Sequence, residues 1–149
     1  MPPPMPESTP IALMPGVRAA LLEMAHRAAP RECCGVLLGR ADGGGAPVRI
    51  AAAEQLANAE LRDPGTRFRI DPRALAAATR AARARALDVV GFFHSHPDGP
   101  ARPSAEDVDE ASAWPGTLHV ILAPAADELR LYETGTTTWY ERQPLQARP

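Results

Sequence analysis

His94-Ser95-His96-Pro97, followed after six intervening residues by Ser104-Ala105-Glu106-Asp107, gathers two imidazoles, a hydroxyl and a carboxylate within fourteen positions. The preceding Val89-Val90-Gly91-Phe92-Phe93 reads as a buried strand. Side chains of a strand alternate between its faces, so the i, i+2 spacing of the histidines sends both rings to one face. Two nitrogen ligands then converge. Asp107, on the first turn of the next helix, can return as a third, oxygen, ligand. Three protein ligands with a fourth position open to water are the usual arrangement of catalytic zinc.

Each part also has a plainer explanation. Polar loops after strands often hold solvated histidines, and Ser104-x-x-Asp107 after Pro103 is a capping-box pattern, in which both side chains satisfy free amides at a helix start. The cap does not explain why it follows a His-x-His-Pro loop at so short a distance. Metal-assisted hydrolysis needs one more part, a carboxylate outside the ligand set that moves a proton from water to the leaving group. Glu32, at the entrance of the apolar run over residues 33–38, is the candidate, against the alternative of an exposed strand-end residue. Glu106, Asp109 and Glu110 suit a solvated helix face.

The elements that must position these groups are mixed. Apolar side chains at Val17, Leu21, Leu22 and Met24 predict a helix over residues 15–28, ended by Pro30. Strands follow over 33–38 and 48–53, joined by the Asp42-Gly43-Gly44-Gly45 turn. After a loop over 58–65, Phe68-Arg69-Ile70 reads as a short strand, and Asp71-Pro72 as the N-cap and first residue of a helix running to about residue 86. The strand over 89–93 leads through the histidine loop to a helix over 105–113, then to strands over 118–122, 128–132 and 137–141. The expected class is mixed α/β (α+β), a mixed sheet flanked by helices. The expected organisation is a Pro-rich disordered tail over residues 1–10, one domain over 11–142 and a flexible tail over 143–149.

Composition narrows the rest. The 149 residues suffice for one domain with a sizeable core. Sixteen basic against eighteen acidic side chains, with no basic run interleaved with aromatics, leave no footprint for nucleic acid. Arg80, Arg83 and Arg85 read as a solvated helix face. No run reaches membrane-spanning length, and Met1 to Glu7 lacks the pattern of a secretory signal, so the expected location is the cytoplasm, without a membrane partner. Adjacent Cys33 and Cys34 agree with a reducing compartment and read as small buried strand residues rather than nucleophiles. His26, at a helix end, and His119, within a strand, read as structural, since neither has a ligand partner at short spacing. Trp114 is left without a role.

Together, Glu32-Cys33-Cys34-Gly35-Val36-Leu37-Leu38-Gly39, His94-Ser95-His96-Pro97 and Ser104-x-x-Asp107 resemble the signature of the JAMM metalloprotease family, also called MPN-plus or JAB domains. Arg67-Phe68-Arg69-Ile70-Asp71-Pro72 is further similar to compact prokaryotic members. The resemblance implies a fold related to the cytidine-deaminase architecture and a Zn2+ ion on His94, His96 and Asp107. It implies Glu32 as general base and Ser104 as the hydroxyl that stabilises the oxyanion. It also implies cleavage of a peptide or isopeptide bond at the C-terminal tail of a ubiquitin-like or sulfur-carrier protein. Such a thin tail can add to a strand edge, where a Gly-Gly end passes and larger side chains clash. No long insertion near the metal loop suits a second ubiquitin.

Two other readings compete. MPN-like domains without ligands serve as interaction scaffolds, but a scaffold has no need of His94, His96, Asp107 and Glu32 together. A zinc deaminase wants His-x-Glu and a later Pro-Cys-x-x-Cys, and neither is present.

Overall fold

The computed structural model describes residues 9–146. One eight-stranded sheet forms the centre, and three helices cover it. In chain order the elements are β1 (Ile11–Leu13), α1 (Val17–Ala28), β2 (Cys34–Ala41), β3 (Val48–Leu56), α2 (Pro72–Ala84), β4 (Asp88–Ser95), α3 (Ala105–Ala111), β5 (Leu118–Ala123), β6 (Glu128–Thr134), β7 (Trp139–Arg142) and β8 (Leu145–Gln146). A single 3-10 turn, Pro124–Ala126, links β5 to β6. The strands lie in the order β7-β6-β5-β4-β2-β3-β1-β8. Antiparallel pairs dominate, but β4 and β5 run parallel, as do β1 with β3 and β1 with β8. The expected mixed sheet between helices is what forms.

Alternation along the central strands separates two cores. Leu37, Phe93, Val120 and Leu122 pack with Leu21 and Leu22 of α1 on one face. Val36, Leu38 and Phe92 pack with Ala78 and Ala82 of α2 on the other. The helix α3 closes the second face further along, where Ile121, Tyr132 and Trp139 meet Val108 and Ala111. Small residues let the strands close up: a Cβ on Gly35 would lie 2.1 Å from the Glu54 carbonyl oxygen and 2.6 Å from the Phe93 ring.

Helix starts follow local chemistry. The Asp71 carboxylate accepts from the Arg73 N–H at 3.1 Å, and Pro72 fills the first position of α2, where a missing N–H costs nothing. Ser104 and Asp107 cap α3 reciprocally.

Differences from the expectation fall in short or irregular segments. Phe68-Arg69-Ile70 is no strand: its backbone bonds go to Asn58 and Ala59, and no ladder continues on the other side. At the ends, residues 1–8 and 147–149 of the expected tails lie outside the described residues. Inside them, the Pro10 carbonyl accepts from Val48 N–H at 2.9 Å, and β8 pairs with β1.

Candidate metal centre

The β4–α3–β5 crossover builds the site at the carboxyl ends of two parallel strands, where the chain must leave the sheet and loops gather. His94 is still in β4, opposite Cys34 of β2 and Ile121 of β5, and shares the α2/α3 face with Phe92. Its ring is completely buried. His96 follows just past the strand, and its Nδ1 lies 2.9 Å from the Pro100 carbonyl. The Tyr132 hydroxyl donates to the Ala101 carbonyl and so fixes the loop that carries Pro100.

Asp107 comes back from α3 to meet both rings. His94 Nε2 lies 3.0 Å from His96 Nε2 and 3.1 Å from Asp107 Oδ2, and His96 Nε2 lies 3.2 Å from the same oxygen. A tetrahedron of bonds about 2.0–2.1 Å long has edges of about 3.3 Å, so the triangle has the size of one face of a zinc site. Capping and convergence are not exclusive here, because Oδ2 also accepts from the Ser104 N–H at 2.9 Å.

The positions of the protons test whether a cation fits. A carbonyl only accepts, so His96 carries a proton on Nδ1, and its neutral ring presents a bare lone pair at Nε2. That lone pair faces a carboxylate oxygen, a contact two acceptors hold only with a positive charge between them. Two imidazole nitrogens and one carboxylate oxygen are a donor set for zinc, and the residues fit. Without metal a proton takes the cation's part. Burial opposes charge on His96, but the bonds to Asp107 and Pro100 win and raise its pKa. Asp107 is buried as well, yet the two imidazoles hold its carboxyl far below the usual range. Burial pushes His94 the other way, toward the neutral ring.

Glu32 stands beside this triangle. Its carboxylate belongs to a group with His94 and His96 whose ligand atoms all lie within 4.8 Å of one another. It is not an exposed strand end: only 4 % of the residue meets solvent. Burial raises its carboxyl to about 8, with His96 opposing and Asp107 reinforcing the shift. Glu32 N–H donates to the Pro64 carbonyl at 2.7 Å, and the next residue is tied to β4, with Cys33 N–H donating to Ser95 Oγ at 2.8 Å. Ser104 is exposed, and its Oγ accepts from Asp107 N–H at 3.0 Å. That bond uses a lone pair, so the hydroxyl proton stays free to donate.

A family model described as prokaryotic homologs of the JAB domain matches residues 14–135. The chain belongs to this family. The JAB domain is 33% identical over 121 residues to a desampylase of Haloferax volcanii, an alignment covering 78% of this chain and 83% of the relative. It is 35% identical over 102 residues to a probable TtuB-protein conjugate cleaving protease of Thermus thermophilus, covering 68% and 61% of the two chains. Among solved structures, a Desulfitobacterium hafniense protein aligns with a TM-score of 0.80 at 29% identity, over 93% of this chain and 94% of that one. A JAB1/MPN domain protein from Archaeoglobus fulgidus shares the fold, with a TM-score of 0.58 at 21% identity over 93% and 100% of the two chains. This JAB domain is a JAMM-type hydrolase.

Several residues of the JAB domain's site escaped the sequence reading. Ser95 joins β4 to the residue after Glu32. Asn58 donates to the carbonyls of Glu32 at 3.2 Å and Arg67 at 3.0 Å and accepts from the N–H groups of Glu60 and Arg69, so one side chain organises the neighbouring loop. Phe68 stacks on His94 with ring centroids 4.4 Å apart. His119 lies against His94 and has little exposure. Trp114 is half exposed and lines a cavity of about 140 Å³ with Phe68, Asp107, His119 and Trp139. Cys33 and Cys34 are buried free thiols, and burial pushes Cys34 up to about 12, which suits packing rather than nucleophilic attack.

Proposed function

We propose that this JAB domain, over residues 11–142, cleaves a peptide or isopeptide bond at the C-terminal tail of a ubiquitin-like or sulfur-carrier protein, with His94, His96 and Asp107 holding zinc. What carries the reading is a triangle of three ligand atoms, 3.0 to 3.2 Å on a side, with a buried carboxylate beside it. The names of the Haloferax and Thermus relatives support the substrate class. When bound, zinc supplies an acidified water, with a pKa of about 7, and an electrophile for the carbonyl.

The chain's residues do the rest. Glu32 takes the proton of the attacking water and delivers it to the departing amine, a task its raised proton affinity suits. Ser104 donates its hydroxyl proton to the carbonyl oxygen as negative charge gathers there. Beside them, Arg67 and Arg69 turn backbone groups inward to Asn58 and Ala59. A thin Gly-Gly tail adds to a strand edge by β-augmentation, where larger side chains would clash. Two free buried thiols agree with a cytoplasmic setting.

Incubating the zinc-loaded protein with ubiquitin-like carriers that bear C-terminal extensions, read by intact mass, tests the proposal. Loss of the extension, abolished by chelation, is expected. Carriers left whole by protein shown to hold zinc would overturn it.

A further inference from the structure

His94 is completely buried, and its Nδ1 lies 2.7 Å from His119 Nε2. Only one proton can lie between two nitrogens at this distance, and its owner decides what His94 does on its other side. If the proton belongs to His94 Nδ1, the neutral ring has a bare Nε2 pointing at His96 and Asp107. If it belongs to His119, His94 must carry its own proton on Nε2 and cannot ligate there. We propose that His119 is the positioning residue of the metal centre, accepting the His94 Nδ1–H and so fixing the tautomer that offers Nε2 to the ion. The proposal rests on the metal-binding reading above.

The surroundings support it. Register places His119 opposite Phe92, two residues before His94 on the same face, so the contact is a diagonal neighbour pair built into the parallel β4–β5 ladder. Aromatic rings then hold His119 in place: the Trp139 ring lies 4.7 Å away, centroid to centroid, and the Phe92 ring 6.4 Å away. Phe68 stacks on the face of His94, which limits rotation of that ring too. Among the described residues no other group bonds to His94 Nδ1. Ligand histidines generally give their second N–H to an oriented acceptor, and losing that acceptor typically weakens metal binding about 10- to 100-fold.

Two measurements on the full chain test the assignment. Long-range proton–nitrogen NMR of the imidazoles is expected to show a proton on His94 Nδ1 and none on His119 Nε2, in the zinc-loaded wild type. A protonated His119 Nε2 facing a bare His94 Nδ1 would overturn the proposal without any mutation. Zinc affinity, read by competition with a chromophoric chelator, is expected to fall about 10- to 100-fold in His119→Leu. His119→Gln, whose side-chain oxygen reaches nearly where Nε2 stood, should recover most of the loss. Circular dichroism and melting of the metal-free variants check their folds. A folded Leu variant with wild-type affinity, or a folded Gln variant no better than Leu, contradicts the role. If the Leu variant does not fold, the NMR result and the Gln variant decide. Wild type that binds no zinc sinks the metal reading itself, whereas zinc binding with the expected proton placement but uncut carriers sinks only the substrate.

Discussion

At the residue scale, the proposed roles of Glu32 and Ser104 are separable by experiment from those of the proposed ligands. Glu32→Gln removes the proton carrier and leaves the three ligands, so activity should fall about 100- to 10,000-fold while zinc content by metal analysis stays unchanged. The same variant has a signature in stability. The folded, metal-free protein keeps a proton on Glu32 up to about pH 8, whereas the unfolded chain releases it near 4.5. Folding therefore takes up a proton inside that window, and the contribution is fully present below it and lost as pH rises through it, by at most about 1.4 kcal/mol per pH unit. The wild type should lose melting temperature relative to Glu32→Gln as pH climbs from about 4.5 to about 8; a constant difference would refute the buried carboxyl. Ser104→Ala should cost about 100- to 1,000-fold in rate with zinc retained. It should also cost about 1 kcal/mol in stability, because the same oxygen caps α3. Full activity in a zinc-loaded Ser104→Ala protein would leave it as a cap alone. Cys34, pushed up to about 12, is almost entirely thiol at neutral pH. Alkylating agents should accordingly spare an activity that a chelator abolishes.

At the element scale, the site depends on how closely β2 approaches β4. Gly35 has no room for a side chain between Glu54 and the Phe93 ring. Gly35→Ala must push strands apart, and a loss of about 1–3 kcal/mol is expected in urea unfolding, with weaker zinc binding because Glu32 and His94 sit at the same end of this pair. Unchanged stability would mean the strands give way more easily than packed cores do. The element scale is also where sequence and structure part. Strands β4 and β5 and the capped α3 were legible because a continuous apolar run and a capping box are local patterns. The three-residue β1 and two-residue β8 are too short for any periodicity to mark them. Phe68 to Ile70 carries strand-like residues, but its bonds go to the Asn58 side chain, a partner that no pattern of its own reveals.

At the scale of the whole molecule, the proposed metal binding would be linked to folding. The proposed ligands come from β4, the following loop and α3, so a bound ion would tie α3 to the end of β4, next to the start of β2 where Glu32 stands. Zinc at 100 times its dissociation constant should stabilise the native state by about 2.7 kcal/mol, visible as a melting temperature that rises with free zinc and drops with chelator. A melting temperature indifferent to both would mean the centre holds no ion. No helix of the described residues is long and apolar enough to cross a membrane.

By itself the sequence determined which groups converge: His94, His96 and Asp107 lie within fourteen positions, and the i, i+2 spacing plus one helix cap suffice to bring them together. Glu32 entered through its place before an apolar run and through the family signature, both properties of the linear chain. Tertiary structure alone decided what orients those groups. Ser95 meets Cys33 across 62 positions, and His119 meets His94 across 25, through strand order and register. Those depend on the free energy of the whole packed sheet, and no short window of residues contains it.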